Sequence, residues 1–446
     1  MQVCAQHSDN LRHMGMLTNV FLFSLPFVIT AYYVVCVVFF PQYYIWSTYE
    51  DLYGEWAQTY AFLCSFIFSV LILLKYRKQQ YRIFFLLLAM ASFYTFMEEV
   101  SWGQRIFTID TPEFFQKHNY QNELNIHNLF TGPVSVWTKD FFEYLISLGL
   151  LGYGVLFPIA ARFNYRPAIW LTKKGVLAPS LALSPAFMIA AMLEPEPFSF
   201  NEAEIAELLV ALTVAYIAFS HWLQLQTSEP GIPNRQKSAA FFSSHLFILL
   251  LIGLSSVLTT NLLLKSPEQK KKIESRLSNG AERFAKRYKK YNHIQGVIGS
   301  LELYDQLKPN NTVILRKLAS SYQDMGNLEK GKSYTHKAIA EGLRRYENAP
   351  DNVSTSVSLS KSYRQLKEYG RADFYARNAL VFAQNNFDVE PESAHRAYWL
   401  AKASEQVGDH RYALRFFRRA FKLQPNHSRY KKAYYEKRRK MVEYDG

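Results

Sequence analysis

Cysteine is scarce in this sequence. The 446 residues contain three, Cys4, Cys36 and Cys64, and none follows residue 64. Two of the three lie inside apolar runs. This distribution excludes a disulfide framework, and it excludes a metal site built from cysteine.

Glycine and proline are also few, at 19 and 17 residues, while 49% of the chain is hydrophobic. A disordered or collagen-like chain is therefore excluded. Residues 1–264 have 14 Lys/Arg against 17 Asp/Glu, whereas residues 265–446 have 37 against 20, so charges of −3 and +17 make up the net +14. Such asymmetry excludes a single globular domain. Because the positive excess belongs to one part only, no nucleic-acid partner is expected.

Long apolar segments dominate the part of the chain before the charge changes. Seven of them reach or approach the ~20 residues that a membrane-spanning helix needs. They cover residues 17–40, 57–74, 81–97, 141–160, 175–193, 205–223 and 241–264. The fifth is the weakest, because it contains Pro179 and Pro185, but it has no charged residue. No small-residue cleavage site follows the first segment, which favours a retained membrane helix over a signal peptide.

The loops between these segments differ in basic residues. Eleven Lys/Arg lie in the N-terminal segment and the even-numbered loops, against three in the odd-numbered loops. The positive-inside rule then predicts a cytoplasmic N-terminus. Seven crossings would place the C-terminal part outside, although the basic cluster between Lys265 and Arg283 favours the cytoplasm. A re-entrant fifth segment would place it inside, so its side stays open.

From about residue 278 the pattern changes to charged amphipathic helices with internal repeats. Small and aromatic residues recur at fixed offsets, and Ala338, Ala379 and Ala420 are evenly spaced. The last copy, from Trp399 to Pro425, resembles the tetratricopeptide (TPR) repeat, whose unit has about 34 residues. The alanine spacing is longer than this unit, which predicts a lengthened helix or connection in each copy. The resemblance implies an α-solenoid whose concave surface binds a protein or peptide, and it implies no catalysis.

The charge of this basic part has two interpretations. One is a solvated helical surface, and the other is a binding surface for an acidic partner or for anionic lipid.

A polar block follows the third apolar segment. It begins with Glu98 and Glu99 and continues to Arg105. Ionisable groups at a membrane boundary are functional candidates. On a continuing helix, Glu98, Ser101, Trp102 and Arg105 would share one face.

Amide side chains crowd the second part of the block, residues 119–128, around His127. This composition predicts a pocket for a polar head group, or amides that support a metal ligand. The sixth segment would bring Glu204 and Glu207 to the same membrane face. The candidate binding residues are Ser101, Trp102, Gln104, Arg105, Asn122, Glu123, Asn125, Asn128, Glu204 and Glu207.

The chemistry of the block is open between three interpretations. Glu98, Glu99 and His127 are the candidate catalytic residues, acting as an acid/base pair, and Glu99, His127 and Glu207 are candidate ligands for a divalent metal. The plainer interpretation is a structural lock, in which Glu98 or Glu99 pairs with Arg105 and the amides cap turns. A proton or ion path is the third.

The block resembles an uncharacterised family of bacterial multi-spanning membrane proteins with a Glu-Glu-x-Ser-Trp-Gly-Gln-Arg element and an Asn-x-His-Asn element. Here these elements are Glu98 to Arg105 and Asn125 to Asn128. No established activity comes with that resemblance.

Together these patterns predict an all-α, multi-pass protein of the bacterial inner membrane, with a helical bundle over residues 1–264, a basic linker over 265–277 and TPR-like repeats over 278–446. The first function hypothesis is that the repeats bind a protein partner in cell-envelope assembly or processing, while the polar block binds the head group of a membrane lipid or glycolipid. The alternative is a membrane-embedded hydrolase or transferase acting on a lipid-linked substrate.

Overall fold

The computed structural model describes residues 15–77, 80–104, 110–118, 124–126, 136–227 and 234–445. Within these ranges the regular elements are helices and no strand occurs, which confirms the all-α prediction. The chain divides into two compact units, Met1–Gly280 and Ala281–Gly446. Each unit has its own architecture.

The first unit is built from apolar helices. They are α1 (Met16–Phe39), α2 (Pro41–Thr48), α3 (Tyr53–Lys75), α4 (Arg82–Glu99), α5 (Glu113–His118), α6 (Val136–Leu151), α7 (Phe157–Arg162), α8 (Arg166–Lys173), α9 (Ser184–Leu193), α10 (Glu202–Thr227) and α11 (Asn234–Lys265). A π-helical turn, Gly152–Leu156, joins α6 to α7.

Five helical segments are long and apolar enough to cross a membrane. They are Met16–Phe39, Pro41–Lys75, Asp140–Arg162, Glu202–Gln226 and Ser238–Lys265. The other two predicted segments are shorter or more charged. Helix α4 has 18 residues, with Arg82 at one end and two glutamates at the other. Helix α9 has ten, preceded by a 3-10 turn at Leu181–Leu183.

The fifth predicted segment, residues 175–193, is therefore helical only in its second part. Residues 176–180 have no regular structure. The hydroxyl of Tyr153 donates a hydrogen bond to the free carbonyl of Leu177, at 3.1 Å. Proline provides no N–H for a helix at position 179, whereas Pro185 lies in the first turn of α9, where none is needed. A broken helix is tolerated inside a bundle when neighbours satisfy the freed backbone groups.

Contacts at the helix termini define two ends of the first unit. At one end, Gln80 donates a hydrogen bond to the carbonyl of Thr172, and we call this the Gln80 end. The opposite end is the Glu204 end, where Gln58 reaches Glu204. Helix α3 joins the two, because Gln58 lies near its start and Gln80 follows its C-terminus.

Other contacts extend both ends. Gly15, before α1, packs against Ser238 near the start of α11. The far end of α1 leads to Tyr44, whose hydroxyl donates to the carbonyl of Phe200 at 2.8 Å, at the Glu204 end. After α11, Arg276 pairs with Asp51 at 2.5 Å. Residues 15 and 276 therefore lie at opposite ends of the first unit.

Helix α12 (Pro267–Lys290) runs through the predicted linker, and the second unit begins within it. The second unit continues with α13 (Ile294–Leu307), α14 (Thr312–Asp324), α15 (Leu328–Asn348), α16 (Val353–Gln365), α17 (Tyr369–Val389), α18 (Ala394–Val407), α19 (His410–Leu423) and α20 (Ser428–Asp445). Successive helices pack as hairpins: α14 with α15, α16 with α17, and α18 with α19.

The long repeat period arises from the second helix of each pair. Helices α15 and α17 have 21 residues each, whereas α19 has 14. The two additional helical turns of α15 and α17 account for the excess over the usual unit. The predicted lengthening thus occurs in the helices of these two copies, whereas α19 of the last copy is not lengthened. The recurring Ala338, Ala379 and Ala420 are buried to within 1% exposure. A small side chain at these positions lets paired helices approach closely.

Stacked tyrosines repeat with the same period. Tyr322 stacks on Tyr334 with ring centroids 5.5 Å apart, and Tyr363 stacks on Tyr375 at 5.6 Å. The ammonium of Lys330 lies over the ring of Tyr322 at 5.2 Å, and the guanidinium of Arg371 lies over Tyr363 at 5.6 Å. Each contact therefore recurs at the equivalent position of the next hairpin, which shows that the two hairpins are copies of one unit.

Candidate functional site

The polar block does not continue α4 as a helix. The helix ends at Glu99, and Ser101, Trp102 and Gly103 have φ values of 47°, 52° and 86°. A non-glycine residue in this left-handed region costs roughly 1–2 kcal/mol. The prediction that Ser101 and Trp102 share a helical face with Glu98 is wrong for this reason. Arg105, the fourth residue of that face, lies outside the described residues.

Glu98 instead joins the two parts of the block. Its side chain is 4% exposed. One carboxylate oxygen accepts a hydrogen bond from the indole N–H of Trp102 at 2.6 Å, and the other accepts from the backbone N–H of Ile126 at 2.8 Å. Hydrogen bonds to a buried carboxylate are strong. Glu98 therefore holds the turn after α4 against residues 124–126. The pairing of Glu98 or Glu99 with Arg105 that the structural-lock interpretation expects lies outside the described residues and stays a prediction.

Gln104 makes a second link of the same kind. Its carbonyl accepts from the backbone N–H of Leu124 at 2.8 Å, and its amide donates to the hydroxyl of Thr111 at 2.6 Å. Asn125, beside these contacts, is 1% exposed. These residues therefore have a structural role, because they hold the two parts of the block together.

The remaining candidates of the block are Asn122, Glu123, His127 and Asn128, and all four lie outside the described residues. Within the described ranges, no three His, Cys, Asp or Glu side chains form a group that could hold a metal ion. Metal binding by Glu99, His127 and Glu207 stays a prediction.

Carboxylates from four helices converge at the Glu204 end. Glu207 lies within electrostatic range of Glu204, Glu99, Glu194 and Glu55. We call these five residues the carboxylate cluster. Two like charges about 8 Å apart repel by about 2 kcal/mol at an effective dielectric constant of 20. A proton or a cation near these side chains would reduce this repulsion.

Gln58 lies beside the cluster and is 1% exposed. Its amide N–H donates to the backbone carbonyl of Glu204 at 2.8 Å and reaches the carboxylate at 3.4 Å. Its carbonyl oxygen has no hydrogen-bond partner among the described residues. Sequence reasoning named Glu99, Glu204 and Glu207 as site residues, but it missed Gln58, Glu55 and Glu194. The sequence signal for this site was that Glu55 and Gln58 lie one helical turn apart at the start of an apolar segment.

A separate groove occurs in the second unit, with a volume of about 570 Å³. None of the described lining residues is a carboxylate. Five of them are cations: Lys308, Arg316, Arg345, Lys361 and Lys402. An adjoining cavity of about 1050 Å³ shares Lys361, Tyr398 and Lys402 with it. That adjoining cavity also has Glu405, Asp409 and Glu436 among its lining residues. We call the cavity of about 570 Å³ the basic groove.

Three first helices supply the central cations of the basic groove. Arg316 lies on α14, Lys361 on α16 and Lys402 on α18. Lys361 and Lys402 are separated by the same interval as Ala379 and Ala420, so they occupy the same position in successive copies. That shared position was the sequence signal for the groove, and it was missed because the charge was attributed to the unit as a whole.

The electrostatics of the groove are those of an anion site. Burial, with the neighbouring charges of Lys402 and Arg316, lowers the pKa of Lys361 to about 8. Burial also lowers the pKa of Arg316, whose Nε has no hydrogen-bond partner among the described residues. Glu405 opposes the effect on Lys361 only weakly, because it already pairs with Lys402 at 3.1 Å and with Lys437 at 3.2 Å.

Comparisons with known proteins do not assign a family, since no family model and no curated protein matches the chain. Among solved structures, MamA MSR-1 C2 is 18% identical, with 37% of this chain and 87% of that chain covered and a TM-score of 0.18. The P58(IPK) TPR domain is 11% identical, with 68% and 98% covered and a TM-score of 0.17. Scores this low carry no argument, so the repeat architecture is described from the chain's own helix pairs.

Proposed function

We propose that the second unit binds an acidic, extended segment of a protein partner in the basic groove. The observation that carries this proposal is the crowding of Arg316, Lys361 and Lys402 in one partly desolvated space with too few carboxylates to neutralise them. Keeping like charges together is unfavourable in the free protein. An anionic ligand relieves the repulsion, so binding is favoured by the charge that the fold has concentrated.

The other lining residues favour a peptide as the occupant. Thr312, Ser354 and Ser358 supply hydroxyls, and Tyr398 and Trp399 supply aromatic surface. Hydroxyls can hydrogen-bond a peptide backbone, and aromatic rings can cover its apolar atoms. Stacked helix pairs provide the elongated surface that such a segment needs.

We propose that the first unit anchors this binding domain in a bacterial inner membrane through seven passages. Helix α4 and the broken segment of residues 175–193 would be the two passages beyond the five long helices. Thr172 lies at the Gln80 end, and Glu194 lies near Glu207 at the Glu204 end, which supports a full passage between them. The excess of Lys/Arg at the Gln80 end favours a cytoplasmic N-terminus. The second unit would then lie outside, where it would recruit partners for envelope assembly or processing.

The enzyme alternative remains a prediction. It requires His127 as acid or ligand, and the described part of the block holds Glu98 in structural hydrogen bonds. No described observation favours hydrolysis or group transfer over partner binding.

The proposed function is tested with the full chain in detergent and a fluorescent hexaglutamate peptide, with hexaglutamine and anionic-lipid micelles as comparisons. Fluorescence anisotropy should show that the protein binds hexaglutamate but neither hexaglutamine nor the lipid micelles. The affinity for hexaglutamate should fall as the salt concentration rises. Lys361→Gln should weaken it at least ~10-fold, since a charge-assisted hydrogen bond contributes about 1.5–3 kcal/mol. The matched control is Lys332→Gln, an exposed lysine outside the groove. Equal binding by both variants, or binding of the lipid alone, would overturn the proposal.

A further inference from the structure

The carboxylate cluster contains one carboxylate with no close partner. Glu207 forms no ion pair and accepts no hydrogen bond within the described residues; its interactions are the electrostatic ones with Glu204, Glu99, Glu194 and Glu55. The Glu207 side chain is nevertheless exposed. A ligand could therefore reach it.

The helix dipoles make the negative charge of the cluster more unfavourable. Glu99 is the last residue of α4, and Glu194 directly follows α9. The C-terminus of a helix carries partial negative charge and disfavours a neighbouring anion. A cation between these termini would be stabilised by the dipoles and by the carboxylates.

One buried polar atom beside the cluster, the carbonyl oxygen of Gln58, has no partner among the described residues. Unsatisfied buried polar atoms are rare in native proteins, and each requires an explanation. Because the amide of Gln58 already contacts Glu204, its free oxygen lies at the edge of the cluster.

We infer that the Glu204 end binds a primary ammonium group, with Glu204, Glu207 and the carbonyl oxygen of Gln58 as its three acceptors. An ammonium has three N–H donors, which matches this set. An organic cation suits the site better than a chelated metal ion, since the described carboxylates do not group as metal ligands. Tyr33, within electrostatic range of Glu204, adds an aromatic neighbour of the kind that cations favour.

The ammonium could come from an amino-lipid head group or from a free amine. This inference refines the predicted head-group pocket, and it is independent of the basic groove. Loss of ammonium binding would leave hexaglutamate binding unchanged, so the two proposals fail separately.

The test measures thermal unfolding of the full chain in detergent. The probes are ethanolamine hydrochloride, phosphatidylethanolamine and phosphatidylglycerol, with sodium chloride at matched ionic strength. We expect the midpoint to rise by several degrees with phosphatidylethanolamine, or with ethanolamine as well, and not with the other two. A rise with the lipid alone assigns the source to the membrane, and a rise with both assigns recognition to the ammonium group itself.

Variants complete the test. Glu207→Gln and Gln58→Leu should each abolish most of the rise, whereas Glu268→Gln, which removes an exposed carboxylate of α12, should retain it. Should Glu207→Gln fold poorly, Glu207→Asp keeps the charge and should retain part of the rise. No rise with either amine, an equal rise with phosphatidylglycerol, or a full rise in Glu207→Gln would overturn the inference.

Discussion

Lys361 and Lys402 occupy the same position in two successive repeats and line the same groove. Each lies on the first helix of its pair, one repeat period apart in the chain. Burial, together with the charges of Lys402 and Arg316, lowers the pKa of Lys361 to about 8. The groove is thus charged and partly desolvated before any ligand binds, and this property has measurable consequences.

The first prediction concerns stability at alkaline pH. A lysine whose pKa is lowered in the folded state destabilises the fold below that pKa, and the penalty disappears as pH rises from about 8 towards the unfolded value. The full chain should therefore gain stability between pH 8 and 10, by about 1–2 kcal/mol from this residue. Lys361→Met should be more stable than wild type at pH 7 and should lack the gain. Urea unfolding at a series of pH values measures the free energy of unfolding of both proteins. Identical pH profiles for wild type and Lys361→Met would contradict the prediction.

The second prediction concerns acid pH. Glu341, buried in α15, accepts hydrogen bonds from Arg344 and from Arg345 at 2.7–2.9 Å, and these hold the pKa of Glu341 at about 2. A carboxylate with a lowered pKa stabilises the fold above its unfolded pKa, and this stability is lost as pH falls. Both arginines are partly exposed, so the contribution should be about 1 kcal/mol.

Glu341→Gln tests this interaction. The variant should lose about 1 kcal/mol at pH 7, and its stability should become equal to that of wild type as pH falls through the folded pKa of Glu341, about 2. It should also strengthen hexaglutamate binding modestly, because Arg345 lines the basic groove and would lose its carboxylate partner. An unchanged urea midpoint at pH 7 would show that Glu341 contributes nothing.

The third prediction uses a backbone feature that repeats. Gly326, Lys367 and Gly408 occupy the same position in three copies, and their φ values are 86°, 63° and 86°. Glycine adopts this left-handed conformation without the strain that a side chain causes. Lys367→Gly should therefore stabilise the protein by about 0.5–1 kcal/mol, whereas Gly408→Ala should destabilise it by about 1 kcal/mol. Chemical denaturation of the two variants checks both signs, and a destabilised Lys367→Gly would refute the argument.

The fourth prediction separates Glu98 from Glu99. Glu98→Ala leaves the partly buried N–H groups of Trp102 and Ile126 without their acceptor, which should cost about 1–3 kcal/mol. Glu99→Gln removes one charge from the carboxylate cluster and should leave stability unchanged or raise it. Thermal unfolding in detergent compares the two. A larger loss in Glu99→Gln would mean that the structural role belongs to Glu99.

The fifth prediction concerns topology. Seven passages place the N-terminus and Gly446 on opposite sides of the membrane. We expect a reporter fused after Gly446 to be active only if it is of a kind that works outside the cytoplasm. An N-terminal reporter should be active only if it is of a kind that works inside. The same side for both reporters would show that the segment of residues 175–193 returns to the side from which it entered.

Whether a feature could be predicted from the sequence depends on how far apart its residues lie along the chain. Features that depend on neighbours along the chain were predictable: long apolar helices, the charge difference between the two parts, and the long repeat period with its buried Ala338, Ala379 and Ala420. Each of these is a local periodicity, and periodicity reports which face of a helix is buried.

Other features depend on residues that are remote in sequence. The left-handed turn at Ser101 and Trp102 directs Glu98 to Ile126, and the assembly of four helix termini brings Glu55 and Glu194 towards Glu207. No local pattern encodes these distances, because they arise when helices pack. The sequence by itself determined that this is an apolar helical bundle joined to a basic repeat domain. Only the tertiary structure decided which carboxylates gather at one end of the bundle and which cations share the groove, since both sets form only when separate helices meet in space.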